Sequence, residues 1–215
     1  MQNSLVIMGV AGCGKSSLGA AVARAAGLTL VEGDDFHNPA SRAKMRQGIA
    51  LLDADRDGWL TTLGAQLRAR PEGLLLTCSA LKRAYRARLR QAAPGLRFVF
   101  LDIGHLQAQA RVAARGAAHF FSASLVDSQF ATLEDPTGEA GVLRVDALQS
   151  LAQLQAEVMA WLDAQAGTVS AHHDMPTIST PAMISSTPSP RRTVTDSPSA
   201  KPTSADSMNP RPTRG

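Results

Sequence analysis

Short runs of consecutive apolar residues recur along most of the chain, separated by longer stretches with helical spacing. Leu5–Met8, Leu28–Val31, Leu74–Cys78, Phe98–Leu101 and Val142–Val145 are strand-sized and bounded by Gly, Pro or charge. The last helical stretch places Leu151, Leu154, Val158, Trp161 and Leu162 on one face, with Ser150 as its N-cap. Strands that are apolar throughout, rather than alternating, are covered on both faces. The pattern therefore predicts an α/β fold: five mostly parallel strands between two helical layers. Ligands of such sheets bind beyond the carboxyl ends of the strands.

The pattern stops near Gly167. Of the 49 residues from there to Gly215, eight are Pro, nine Ser and eight Thr, and none is aromatic. Such a segment buries too little apolar surface to offset its chain entropy. The expected organisation is a globular domain over 1–166 followed by a disordered tail over 167–215. The formal net charge of +4 divides evenly between the two parts, and neither holds a dense basic block, so charge gives no argument for nucleic acid. No apolar run is long enough to span a membrane, and the first residues lack the basic start and cleavage site of a secretory signal. Two cysteines make no disulfide framework, and no Cys/His cluster has zinc spacing. A cytoplasmic protein is expected.

The first strand runs into Gly9-Val10-Ala11-Gly12-Cys13-Gly14-Lys15-Ser16, followed by a helical run over Ser17–Ala26. This is the G-x-x-x-x-G-K-[ST] phosphate loop in the context its mechanism needs. The glycines let the backbone turn its N–H groups toward phosphate oxygens, and the helix N-terminus adds partial positive charge. Lys15 reaches the β- and γ-phosphates, and the Ser16 hydroxyl is a ligand for Mg²⁺. The chain is expected to bind a nucleoside triphosphate with Mg²⁺ through residues 9–17, Ser17 included. The second strand ends Glu32-Gly33-Asp34-Asp35-Phe36-His37 and delivers carboxylates to the same sheet edge. A carboxylate there accepts a proton from a substrate hydroxyl or orders metal-bound water.

Further segments resemble a known family. Asp34 to Pro39, Lys44-Met45, Gly48 and Leu52 to Leu60 are similar to the bacterial-type thermoresistant gluconokinases, small P-loop kinases related to shikimate kinase. The match continues through Cys78-Ser79-Ala80-Leu81-Lys82-Arg83, Tyr85-Arg86 and Arg88-Leu89-Arg90. It resumes at His119-Phe120, Ser128-Gln129-Phe130 and Leu133-Glu134, and in all covers about residues 4–163. The resemblance implies a P-loop kinase fold, three-layer α/β/α with a mobile lid over about 111–124. It also implies ATP-dependent phosphorylation of D-gluconate to 6-phospho-D-gluconate in gluconate catabolism, and a homodimer. Neither a nucleic acid nor a membrane is an expected partner.

An anionic polyol needs cations for its carboxylate and mixed donors and acceptors for its hydroxyls. Asp34, His37, Arg56, Lys82 and Arg86 are the candidate substrate residues. Asp34 is the base or hydroxyl-orienting group, and Lys82 and Arg86, at i and i+4, are expected on one helix face. Lys15, Asp34 and Arg115 form the candidate catalytic set. Arg111 and Arg115 are the lid cations expected over ATP. Here the chain departs from the family pattern: Arg115-Gly116-Ala117-Ala118-His119-Phe120 is one residue longer than the usual Arg-x-Gly-His-Phe. Cys13 lies beside Lys15 at a helix N-terminus, where a thiol pKa falls, so its alkylation is expected to block ATP binding. Two other readings fit the phosphate loop: another small-molecule kinase such as a shikimate kinase, and a non-catalytic nucleotide-binding regulator.

Overall fold

A computed structural model describes residues 4–114 and 123–170 of the chain. Arg115 and the rest of the lid insertion lie outside the described residues, as does the tail beyond Ser170. The elements alternate as the apolar pattern predicts. They are β1 (Leu5–Met8), α1 (Lys15–Ala26), β2 (Thr29–Glu32), α2 (Pro39–Arg46), α3 (Asp53–Arg68), β3 (Leu74–Thr77) and α4 (Arg83–Ala92). These are followed by β4 (Arg97–Asp102), α5 (His105–Ala114), α6 (Ala123–Thr132), β5 (Val142–Asp146) and α7 (Leu151–Ser170). The strands stand in the order β2-β3-β1-β4-β5, all parallel. Central β1 and β3 are buried at every position, which is why their sequences do not alternate.

Alternate residues of the sheet feed two cores. Leu5 and Ile7 pack with α1, α5 and α7 through Leu18, Val22, Ala108 and Val158. Val6 and Met8 face the other side, toward Trp59, Leu63 and Leu67 of α3 and Leu89 of α4. Ser150 caps α7 as expected: its hydroxyl accepts from the Gln153 N–H, and the Gln153 side chain accepts from the Ser150 N–H. Leu154 and Val158 are buried on the predicted face, whereas Leu151 in the first turn is 46% exposed. The helix continues to Ser170, past the composition change at Gly167. The sheet order puts β1 and β3 side by side with β2 next to β3. The loops leaving all three strands meet at one edge, where the site lies.

Candidate active site

At that edge a cleft of about 420 Å³ joins three groups of residues. The first is the phosphate loop, lined by Ala11, Gly12, Gly14, Lys15, Ser16 and Ser17. The second comes from the turn after β2 and the start of α3: Glu32, Asp34, His37 and Arg56, with Ser79 after β3. Val112 of α5 and Leu125, Ser128 and Gln129 of α6 form the third. The two helices that flank the lid insertion therefore reach the same space as the loop and the carboxylates.

The loop geometry depends on glycine at particular places. Gly12 has φ +83°, and a Cβ there would stand 2.7 Å from the Ala108 carbonyl of α5. Gly33 is restricted by proximity instead, since a Cβ would overlap the Thr77 carbonyl of β3. That contact lets the turn Gly33–Phe36 sit against the end of β3. Lys15 Nζ donates to the Gly9 and Val10 carbonyls at 3.1 and 3.0 Å. These bonds hold the ammonium over its own loop. Cys13 is 1% exposed and packs into the core, so its thiol is not presented to the cleft as the sequence led us to expect. Cys78 is also buried, and burial pushes its thiol up to about 12.

Ser16 Oγ donates to Glu32 Oε2 at 3.1 Å, and Thr77 Oγ1 donates to the same carboxylate oxygen. A hydroxyl and a carboxylate at the first turn of α1 form an all-oxygen donor set, which suits Mg²⁺ shared with nucleotide phosphates. Among the described residues no group of three or more His, Cys, Asp or Glu stands together as a metal cage. Glu32 was missed as a site residue by the sequence analysis. Its place as the last residue of β2, opposite the phosphate loop, was the available signal.

Asp34 lines the cleft with its side chain 60% exposed, and its carboxylate lies 3.9 Å from His37 Nε2. His37 is 7% exposed and stacks on Trp59, with ring centroids 4.4 Å apart and planes 12° from parallel. Burial pushes its pKa down to about 4; the Asp34 charge opposes this, and Arg56 and Arg42 reinforce it. The imidazole is thus neutral at neutral pH, and its Nδ1 is buried with no partner among the described residues. Trp59 Nε1 donates to the Gly33 carbonyl at 2.7 Å, fastening the Asp34 turn to α3. Arg56, one helical turn earlier, is 8% exposed with Nε unpartnered among the described residues. Its guanidinium lies 5.8 Å from the centre of the Tyr85 ring. A buried cation and a neutral imidazole with unused polar atoms beside a carboxylate are suited to an anionic, hydroxylated ligand.

Three other candidates lie elsewhere. Lys82 is the N-cap residue before α4, not a member of its face, and both oxygens of Asp53 accept from its ammonium at 2.8 and 2.7 Å. Arg86 is wholly buried. It donates to the Ala80, Leu81 and Glu134 carbonyls and to Glu139, so its guanidinium builds the loop after β3 and does not line the cleft. Arg111 donates to the Cys13 carbonyl at 3.5 Å and the Ala147 carbonyl at 3.0 Å, touching the phosphate loop without entering the cleft lining. Arg115 is outside the described residues.

A phosphate loop on the first strand of a five-stranded parallel sheet, facing a carboxylate and a buried arginine across one cleft, defines a P-loop kinase for a small acceptor. Residues 5–136 match the family model described as an AAA domain. The chain is 42% identical over 144 residues to a gluconokinase of Gluconobacter oxydans (strain 621H), a match covering 66% of this chain and 80% of that protein. It is 37% identical over 155 residues to the thermosensitive gluconokinase of Escherichia coli (strain K12), covering 70% and 82%. Among solved structures, a gluconokinase from Sinorhizobium meliloti 1021 superposes with a TM-score of 0.73 at 44% identity, covering 79% of this chain and 96% of that one. The chain belongs to the gluconokinase family.

Proposed function

We propose that this protein transfers the γ-phosphoryl group of ATP to the 6-hydroxyl of D-gluconate, giving 6-phospho-D-gluconate and ADP in gluconate catabolism. The observation that carries the reading is the cleft's asymmetry: phosphate-binding amides and Lys15 on one wall, and Asp34, neutral His37 and Arg56, whose Nε has no hydrogen-bond partner among the described residues, on the other. Residues 9–17 hold the nucleotide, with Lys15 turning from the Gly9 and Val10 carbonyls to the phosphates. Ser16, with Glu32 beside it, would hold Mg²⁺, which would supply charge neutralisation on the phosphate oxygens. Arg56 binds the substrate carboxylate, and His37 hydrogen-bonds a hydroxyl.

Asp34 orients the 6-hydroxyl and accepts its proton as that oxygen attacks phosphorus and the bond to the β-phosphate oxygen breaks. Arg115 of the lid is assigned to the transferring phosphate, and Arg111 steadies the loop at Cys13. Lys82 and Arg86 act on the substrate side through the loop they support. The ATP-dependent reaction is assigned to the cytoplasm; among the described residues no helix is long and apolar enough to cross a membrane.

The test is ADP release from Mg-ATP with D-gluconate, with shikimate and with no acceptor. Turnover confined to gluconate is the expected result. Turnover confined to shikimate overturns the substrate. Nucleotide binding with no turnover on any acceptor favours the regulator reading.

A further inference from the structure

The reaction above gives no task to Ser128-Gln129-Phe130 of α6, although this run carries much of the family resemblance. Gln129 is 7% exposed, and it lines the cleft. The Ala11 backbone N–H donates to its Oε1 at 2.6 Å, across 118 positions of sequence. Because the loop offers a donor, the amide oxygen must face Ala11, and both Nε2 hydrogens are left over. The side chain belongs to the cleft wall, and the bond to Ala11 engages its oxygen, which leaves the amide nitrogen for a second partner. The helix that carries it is fixed: Leu125 and Val126 are buried, and Phe130 packs on the core and edge-on against His105. Gln129 is therefore a side chain with one end tied to the phosphate loop and the other turned to the ligand space.

We infer that Gln129 bridges the two halves of the transfer site. Its oxygen fixes the Ala11 N–H of the phosphate loop, and its amide nitrogen donates to an oxygen of the bound acceptor. With gluconate as the acceptor, a reading on which this inference rests, that oxygen is a hydroxyl of the polyol chain. An amide donor on the cleft wall gives a hydroxylated ligand a hydrogen bond in place of the water it displaces. The same group thereby disfavours acceptors lacking an oxygen there. The nucleotide loop and the acceptor are then held by one rigid side chain, which sets the distance between donor phosphate and acceptor chain.

Two variants separate the ends. Gln129→Glu keeps an acceptor for Ala11 but loses both N–H donors; Gln129→Met has similar length and loses both ends. The gluconate KM is expected to rise about tenfold in both variants, the loss of one well-made hydrogen bond. The Kd for MgADP, read by calorimetry, is expected to rise in Gln129→Met and to stay within about twofold in Gln129→Glu. A purely structural role would lower Tm while leaving both binding constants unchanged, and that result overturns the inference. So does a gluconate KM unchanged in either variant. Parent protein inactive on gluconate would instead sink the substrate reading, and the MgADP titration of Gln129→Met then decides the Ala11 contact alone.

Discussion

Asp34 and Arg56 face one cleft but have opposite environments, and their variants are expected to differ accordingly. Asp34 is open to solvent where an acceptor hydroxyl would lie. Asp34→Asn is expected to lower kcat by ~10²–10⁴-fold, the range for a lost general base, with nucleotide binding retained. Arg56 is enclosed and has a spare Nε. Arg56→Lys replaces a planar fork by a point charge, so the expected change is about a tenfold rise in gluconate KM with a smaller change in kcat. Steady-state kinetics of the two variants side by side checks this; an Asp34→Asn enzyme at parental kcat contradicts the base. Both residues were legible in the sequence because each sits at a fixed offset from a strand end or helix start. Glu32 and Gln129 were not singled out, because their roles arise from contacts over 16 and 118 positions that no local pattern encodes.

At the level of elements, α4 shows where spacing misleads. Lys82 and Arg86 are four apart, but the helix begins at Arg83, so Lys82 caps it and Arg86 turns inward. A buried arginine is rare enough that spacing alone favours a solvated face; what reverses the expectation is Glu139, 53 positions on, which accepts from Arg86 and Arg90. Arg86 also donates to the Ala80 carbonyl, and Ala80 has the left-handed φ of +45° that turns the chain from β3 toward α4. Removing the Arg86 guanidinium strips the Ala80, Leu81 and Glu134 carbonyls of their donor and leaves Glu139 with Arg83 and Arg90 alone. Arg86→Met is therefore expected to cost about 3–5 kcal/mol in denaturant unfolding. A loss under about 1 kcal/mol contradicts this placement. The strand runs, by contrast, were read within a residue or so of their ends, since burial on both faces leaves a continuous apolar signature.

For the whole molecule, two buried groups set the response of stability to acid. Burial holds His37 near 4, below its ordinary 6.5, so the unfolded chain takes up that proton first. Stability from this group is complete above pH 6.5 and declines as pH falls toward 4. Burial raises the Glu139 carboxyl, but hydrogen bonds and charge from Arg86 and Arg90 outweigh it and hold the group at about 2, against an ordinary 4.5. Its contribution is present above pH 4.5 and is lost as pH falls toward 2. Tm is expected to fall in these two stages, and His37→Gln to flatten only the first; parallel curves for parent and variant contradict the assignment. The layered parallel sheet was legible because strand and helix runs alternate, while the strand order and the pairing of α6 with the phosphate loop needed the folded chain.

On the proposed reaction, one cleft sets ATP against the far end of a gluconate chain anchored by Arg56. The most direct test is the position of the phosphate in the product, read by phosphorus–proton NMR after turnover of Mg-ATP with D-gluconate. The account predicts phosphorus coupled to the protons on carbon 6. Phosphate on any other carbon, or ADP formed with gluconate left unmodified, contradicts it.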